Sequence, residues 1–419
     1  MKTLFSGRRL AVLAAYLAII VLAPLLSPKG YWVSLLCRIG ITTVFALSFN
    51  MLLGQTGLLS FGHAVYFGLG AFATIHLLRA IQQHSWGFPI TLLPLAGGLC
   101  GLLFGVALGY VTTRRAGTTF AMISLGIGEM VAASSLMFPA FFGGEGGVSG
   151  NRVTAPGWFG ITYATPLQMY YLIAGWAFLC ILAIYTLTDT PLGRMANAVR
   201  DNPERAEFVG FDPQWVRYLI VVLAGFFAGV AGGLAALNYE IVTAETLSAA
   251  TSGIVIMMAF VGGIGHFAGP IIGAVLITVL QIVVAGMTEA WPFYFGLLFA
   301  LLVLYAPGGI AGIVAEHKRL FDAGQLGRAL HGYLLGLLPF TLCAAGAITL
   351  VEMAYALANT PDRRNAPLHI FGTTLNAGRP FGWVPPIAAV IVGALLLRAI
   401  ARRTRGRDLV YTSLLQRQV

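Results

Sequence analysis

The feature that most constrains this chain is a succession of apolar, almost uncharged runs of about 20 residues that fills most of its length. A helix of that length crosses the hydrocarbon core of a bilayer, which is roughly 30 Å thick. Only 10% of the residues are charged, whereas soluble domains carry about a quarter. The sequence therefore predicts an all-α membrane protein, a polytopic helical bundle of about 10 core transmembrane helices with about 2 extra C-terminal helices.

The predicted spans divide the chain into three regions. An N-terminal transmembrane helix (1–30) resembles a signal peptide, but no small-residue cleavage site follows it, so we retain it as a span. A core (31–312) is followed by a C-terminal extension (313–419) with two spans and a basic tail. With the N-terminus in the cytoplasm, 18 of the 25 Lys and Arg residues fall on the cytoplasmic side, as the positive-inside rule requires. The spans lie near residues 10–27, 31–53, 61–79, 88–110, 118–142, 167–188, 215–238, 249–264, 269–287, 291–306, 331–357 and 383–401.

Composition and motifs argue against several functional classes. The net charge of +10 fits cytoplasmic loops better than nucleic-acid binding, because the chain has little polar surface on which to concentrate basic residues. The four cysteines fall inside apolar runs without metal-ligand spacing, so we expect no metal site. Protease, hydrolase and phosphate-binding motifs are missing from the sequence, so we expect no catalytic residue and no cofactor in this chain.

Segment 54–60 predicts an interruption between the second and third spans, because it is too polar and too rich in glycine for a helix interior. Asn50 and Gln55 flank it, where they either hydrogen-bond freed backbone groups or contact a polar substrate. His63 lies beside a glycine near the cytoplasmic end of the next span, where an imidazole can reach water or a backbone carbonyl. All three are candidates for a translocation pathway or gate, with a structural role as the alternative.

Glu129 lies near the middle of the fifth span, where an ionised carboxylate costs about 2.5–3.5 kcal/mol. It must therefore face protein or water. Gly126, Ala132 and Ala133 lie three or four residues away, and they are small enough for a neighbouring helix to approach. Glu129 is thus a candidate for a pathway contact or a gating hydrogen bond, or else for a structural bond between helices.

Two spans carry glycines at a spacing of four, which places them on one helix face where another backbone can approach closely. Tight packing is enough to explain them. These helix-packing glycines are Gly97, Gly101, Gly105 and Gly109 in the fourth span and Gly225, Gly229 and Gly233 in the seventh.

The loop 189–214 predicts a short helix outside the membrane. Asn202 is a good N-cap, Pro203 suits the first helical position, and Gly210 suits a left-handed stop. Its apolar residues, Ala206 and Val209, fit a shallow groove on a partner protein, and a solvated linker helix is the alternative.

Several separated stretches resemble one known family. Glu204-Arg205-Ala206-x3-Gly210 is similar to the Glu-Ala-Ala-x3-Gly coupling loop of ABC importer permeases, from which Arg205 departs. Residues 52–64, Pro191-Leu192-Gly193-Arg194, 126–129 and 260–265 look like the branched-chain amino-acid permease family of the LivM type. The resemblance runs in order from about residue 31 to residue 312.

The resemblance implies a multi-pass permease of the bacterial inner membrane. It would work with a second permease of the LivH type, two cytoplasmic ATP-binding subunits that hold ATP and Mg, and a periplasmic substrate-binding protein. Glu204, Arg205, Ala206 and Gly210, together with Arg194, would couple it to the ATPases. The cargo would be branched-chain amino acids or a related small solute, since related permeases also serve urea, amides or aromatic acids.

Two other classes stay open at this point. A stand-alone secondary transporter of about twelve helices would need its own intramembrane coupling charges, and the uncharged 54–60 segment counts against its major-facilitator form. A membrane-embedded enzyme would need His63, Glu129 and His266 at one depth, but the predicted spans place them at different levels.

Overall fold

The computed structural model describes residues 21–25, 30–84, 87–154, 162–306, 308–322, 326–360, 367–370 and 373–415. Within them, eight helices are long and apolar enough to cross a membrane, or nine if the bent pair at 291–305 and 309–319 is one span. The predicted all-α membrane fold is confirmed. Only residues 21–25 of the predicted span 10–27 are described, and this span stays a prediction.

The helices are numbered in the order in which they follow one another along the chain. Within the described residues they are α1 (Gly30–Asn50), α2 (Ala64–His84), α3 (Leu93–Thr112), α4 (Gly117–Met137), α5 (Pro139–Phe142), α6 (Pro166–Asp189), α7 (Pro191–Asp201), α8 (Pro203–Phe208), α9 (Pro213–Tyr239), α10 (Ala249–Gly262), α11 (Gly269–Ala285), α12 (Trp291–Tyr305), α13 (Gly309–Asp322), α14 (Leu326–Asn359) and α15 (Val384–Leu415). Strands β1 (Val148–Ser149) and β2 (Ile241–Val242) pair antiparallel, as do β3 (Pro367–Ile370) and β4 (Thr373–Asn376).

The chain divides into two compact units, residues 1–287 with 295–313 and residues 288–294 with 314–419. Helix α9 forms the centre of the first unit, where it packs against α1, α2 and α3. The glycine ladders of α3 and α9 meet each other. A methyl group on Gly97 would lie 2.6 Å from the carbonyl oxygen of Gly229, and one on Gly225 would lie 2.7 Å from that of Gly101. Side chains at these positions would force the two helices apart.

Polar side chains join α1 to α11 within the first unit. Arg38 donates to Gln281 Oε1 at 2.8 Å, and the hydroxyls of Thr42 and Thr278 lie 3.0 Å apart. A charged group inside a membrane helix needs such partners, since lipid offers none. These bonds fix how α11 packs along α1.

Arg152 anchors the outer loop that follows α4 and α5. Its guanidinium donates to the carbonyls of Leu237 and Asn238, at 3.0 and 3.1 Å, where α9 ends. Cations are favourable at a helix C-terminus, where carbonyls lack helical partners. The sequence predicts this arginine on the outer side, which is unusual under the positive-inside rule, and these bonds give it a structural reason.

Two predicted spans are shorter than expected. The apolar runs near 249–264 and 269–287 form α10 with 14 residues and α11 with 17 residues. At 1.5 Å per residue, these helices are roughly 21 and 26 Å long and fall short of the roughly 30 Å core. The span predicted to begin at residue 61 begins at Ala64.

The second unit is an antiparallel helix pair with a small β-hairpin. Helices α14 and α15 cross closely, since a methyl group on Gly393 would lie 2.8 Å from the Pro339 carbonyl oxygen. Met353 and Ala377 are buried beneath strands β3 and β4, and the Trp383 indole donates to the Ala377 carbonyl at 2.9 Å. These contacts explain how the predicted extension folds.

Candidate functional site

The first part of the candidate site is the interruption that follows α1. Regular α-helical bonding ends at Asn50, and Met51–Gln55 continue as one π-helical turn. The Leu58 amide donates to the Leu52 carbonyl at 3.0 Å, and Gly57 adopts a φ of +71°, which turns the chain out of the helix. Single π-helical turns within helices occur frequently at functional sites. The predicted break is present, and it begins a few residues earlier than the 54–60 segment.

Two serines from other helices hold the connecting segment, residues 57–63, and the first residue of α2. Ser124 of α4 accepts a hydrogen bond from the Phe61 amide at 3.1 Å, and Ser252 of α10 accepts one from the Ala64 amide at 3.0 Å. These bonds satisfy backbone donors that the broken helix leaves free. Neither serine stands out in the sequence, because only the fold brings them to the break.

His63 is fully buried within the first unit. The sequence predicted a position near the end of a span, where the imidazole can reach water or a backbone carbonyl. Its ring lies among those of Phe45, Phe49 and Tyr66, with centroid distances of 5.5, 5.6 and 5.8 Å. The Ser48 hydroxyl donates to the Phe45 carbonyl at 2.7 Å, so its oxygen accepts from His63 Nε2 at 2.9 Å. Nδ1 is then an acceptor, and it has no hydrogen-bond partner among the described residues.

Asn50 and Gln55 are also buried, with 5% and 7% of their surface exposed. Asn50 Oδ1 and Gln55 Oε1 have no hydrogen-bond partner within the described part of the chain. A buried acceptor without a partner costs about 1–3 kcal/mol, so such atoms favour occupancy by water or a polar ligand. A separate cavity of about 10 Å³, lined by neither Asn50 nor Gln55, lies beside Ser60 and Tyr66 and has room for about one water molecule.

Glu129 lies next to a contact between α4 and the connecting segment. A methyl group on Gly128 would lie 3.2 Å from the Cα of Gly62, so residues 126–129 and the interruption meet in space. The Glu129 side chain itself points away and is exposed, and it has no partner among the described residues. Gly126 and Ala133 on the same face are exposed too. Contact with another protein surface or with a water-filled path would keep this carboxylate out of lipid.

The second part of the site is residues 190–211, which the sequence predicts on the cytoplasmic side and which we call the cytoplasmic element. Helix α8 begins as predicted, with Asn202 Oδ1 accepting from the Arg205 amide at 2.9 Å and Pro203 at the first helical position. An additional helix, α7, was not predicted. Thr190 caps it by accepting from the Gly193 amide at 3.3 Å. Two capped helices joined by one residue make a stiff element.

Helix α8 ends in a Schellman motif. The Phe211 amide donates to the Ala206 carbonyl at 3.1 Å, and the Gly210 amide donates to the Glu207 carbonyl at 2.8 Å. Gly210 has a φ of +93°, as the predicted left-handed stop requires. Ala206 is buried, so the helix is held both at its ends and along one side.

The cytoplasmic element has apolar side chains on its exposed surface. Phe208 is 91% exposed and Val209 is 71% exposed. Beside them lies an open groove of about 290 Å³. Glu204 and Arg205 are exposed at the start of α8. The groove is lined by Met195, Ala198, Asp201, Asn202, Arg205, Ala206, Val209 and Phe211.

The two parts of the site touch each other. Arg200, near the end of α7, donates from Nη1 to the carbonyl of Gly54 in the π-helical turn, and its guanidinium pairs with Asp201 at 3.0 Å. Arg200 was not among the residues predicted from the sequence, because its partner lies 146 residues away. Arg194, which was predicted, is exposed in the first turn of α7.

A polytopic bundle with an interrupted span and a stiff cytoplasmic element has the features of a membrane transport protein. The sequence matches the family model described as "Branched-chain amino acid transport system / permease component" over residues 31–307. This match covers about two thirds of the chain, and the chain belongs to that family. It is a multi-pass transport permease and not a catalytic enzyme.

Curated relatives agree with this assignment. The chain is 27% identical to the high-affinity branched-chain amino acid transport system permease protein LivM of Salmonella typhimurium, over 75% of this chain and 77% of the relative. It is 26% identical to LivM of Escherichia coli, over 75% and 78%. It is 25% identical to the probable branched-chain amino acid transport permease protein LivH of Methanocaldococcus jannaschii, over 64% and 88%. No solved structure matches significantly.

Proposed function

We propose that this chain is a permease subunit of an ATP-driven importer in the bacterial inner membrane. In this assembly a second permease of the LivH type completes the membrane part. Two cytoplasmic subunits bind ATP and Mg, and a periplasmic binding protein delivers the solute. The similarity of this chain to both LivM and LivH proteins supports two related permeases that pack together.

The cytoplasmic element carries this proposal. A phenylalanine that is 91% exposed at the tip of a capped helix gains free energy when a partner covers it. We propose that each such helix docks on an ATP-binding subunit, with Phe208 as the anchor and Glu204 and Arg205 as its charged rim. Because both helix ends are fixed, closure of the ATPases on ATP would move the element rather than deform it.

The exposed face of α4 would meet the second permease. Glu129 needs a polar surrounding, and Gly126 and Ala133 leave room for another helix. The translocation path would then run between the two permeases, with Glu129 beside it. Asn50, Gln55 and His63 would act behind this face. Their acceptors, which have no partner within the described ranges, would hold water or respond to movement of the interruption.

The cargo we propose is a branched-chain amino acid or a related small solute. The names of the two LivM relatives support this choice. The binding protein would select the solute before it reaches the permease.

The test is purification of the tagged chain from its native membrane in mild detergent, followed by mass spectrometry and reconstitution. We expect a second permease and two copies of ATP-binding subunits to co-purify. We also expect ATP-dependent uptake of leucine, isoleucine or valine in the presence of the binding protein. A single chain that transports solute in liposomes without ATP would refute the proposal and indicate a secondary transporter.

A further inference from the structure

We infer that Arg200 is the positioning residue that transmits movement of the cytoplasmic element to the interrupted span. This inference rests on the proposed function, since it concerns how ATP-driven docking at α8 reaches the membrane. Its basis is the hydrogen bond from the Arg200 guanidinium to the Gly54 carbonyl, which joins α7 to the π-helical turn.

Arg200 occupies the place where a helix end needs a donor. The π-helical turn Met51–Gln55 ends at Thr56, and carbonyls at such an end lack helical partners. A guanidinium satisfies one of them and also interacts favourably with the negative end of the helix dipole. The bond is therefore stronger than one between neutral groups, and it suits a contact that must persist under load.

The chain between Arg200 and the docking surface is stiff. Arg200 precedes Asn202 by two residues, and the Asn202 amide donates to the Ala198 carbonyl of α7 at 2.9 Å. The Asn202 side chain in turn caps α8. A displacement of α8 therefore moves the end of α7 with it, because no flexible residues intervene to absorb the motion.

The interruption is the part of the span that can respond. Its helical bonding is irregular, and its neighbouring side chains Asn50 and Gln55 carry buried oxygens without partners among the described residues. Arg200 also packs against the residue after this turn, since a methyl group on Gly57 would lie 3.1 Å from Arg200 Cγ. A shift of the guanidinium would thus displace the residues that follow the π-helical turn.

The experiment compares solute uptake with ATP hydrolysis in the complete importer reconstituted in liposomes. For Arg200→Ala we expect assembly and ATP hydrolysis to persist. The amount of solute taken up per ATP hydrolysed should fall roughly tenfold, because one charge-assisted hydrogen bond is lost. Arg200→Lys retains the charge without the planar fork, and we expect an intermediate ratio. Arg398→Ala, which removes an exposed arginine of the second unit, should keep the wild-type ratio.

A wild-type ratio in Arg200→Ala would overturn the inference and leave the importer proposal intact, whereas absence of ATP-driven uptake in the wild-type complex would overturn the importer proposal itself. If Arg200→Ala does not assemble, amide exchange of the wild-type complex decides. We expect nucleotide to change exchange at Gly57 and Leu58 by roughly threefold or more. Unchanged exchange at both amides would contradict the transmission of movement.

Discussion

Phe208 offers the sharpest test of the proposed docking surface. Its side chain is 91% exposed, so Phe208→Ala removes little that stabilises the permease itself. If an ATP-binding subunit covers this ring, the substitution loses about 1.5–3 kcal/mol of apolar burial. That loss corresponds to a dissociation constant roughly 10 to 150 times higher.

The assay titrates the purified ATP-binding subunit onto the pair of permeases held in lipid nanodiscs. Phe381 provides the matched control, because it is 88% exposed and lies in the second unit, between β4 and α15. Phe381→Ala should leave the dissociation constant unchanged. A change of less than about twofold for Phe208→Ala, or an equal change for both variants, would refute the docking argument.

Three further predictions concern packing, capping and the intramembrane acid. Gly229→Leu should lower the free energy of unfolding of the purified permease by about 1–3 kcal/mol or more, because a side chain there meets the backbone of α3. Gly175→Leu, at a site with open space, should not, and equal losses would contradict the ladder contact. Asn202→Ala should remove the helix cap, at a cost of about 1 kcal/mol, and reduce uptake. Asn202→Asp should retain both the cap and the uptake, since Asp is also a good N-cap. Equal uptake in the two variants would count against the need for a fixed helix. Glu129→Leu should leave the stability of the single subunit unchanged but lower uptake at least about tenfold, with Glu129→Gln less affected. Wild-type uptake in the Leu variant would remove Glu129 from the pathway.

Local patterns in the sequence determined much of this protein. Apolar runs of membrane length fix where most helices lie, because lipid offers no hydrogen bonds and forces the backbone to satisfy itself. The Asn202, Pro203 and Gly210 pattern fixed both ends of α8, since capping depends on residues within one turn. The polar, glycine-rich 54–60 segment likewise indicated the interruption.

Contacts between distant residues were decided only by the tertiary structure. The sequence indicated that α3 and α9 each carry a close-packing face, but the fold made them partners. It buried His63 against Ser48 and aromatic rings, and it placed Ser124 and Ser252 on the connecting segment. Arg200 gained its partner Gly54 across 146 residues of chain. In an apolar chain most helix faces are equally compatible with lipid and with protein, so hydropathy cannot choose the neighbours; shape and a few buried polar bonds choose them.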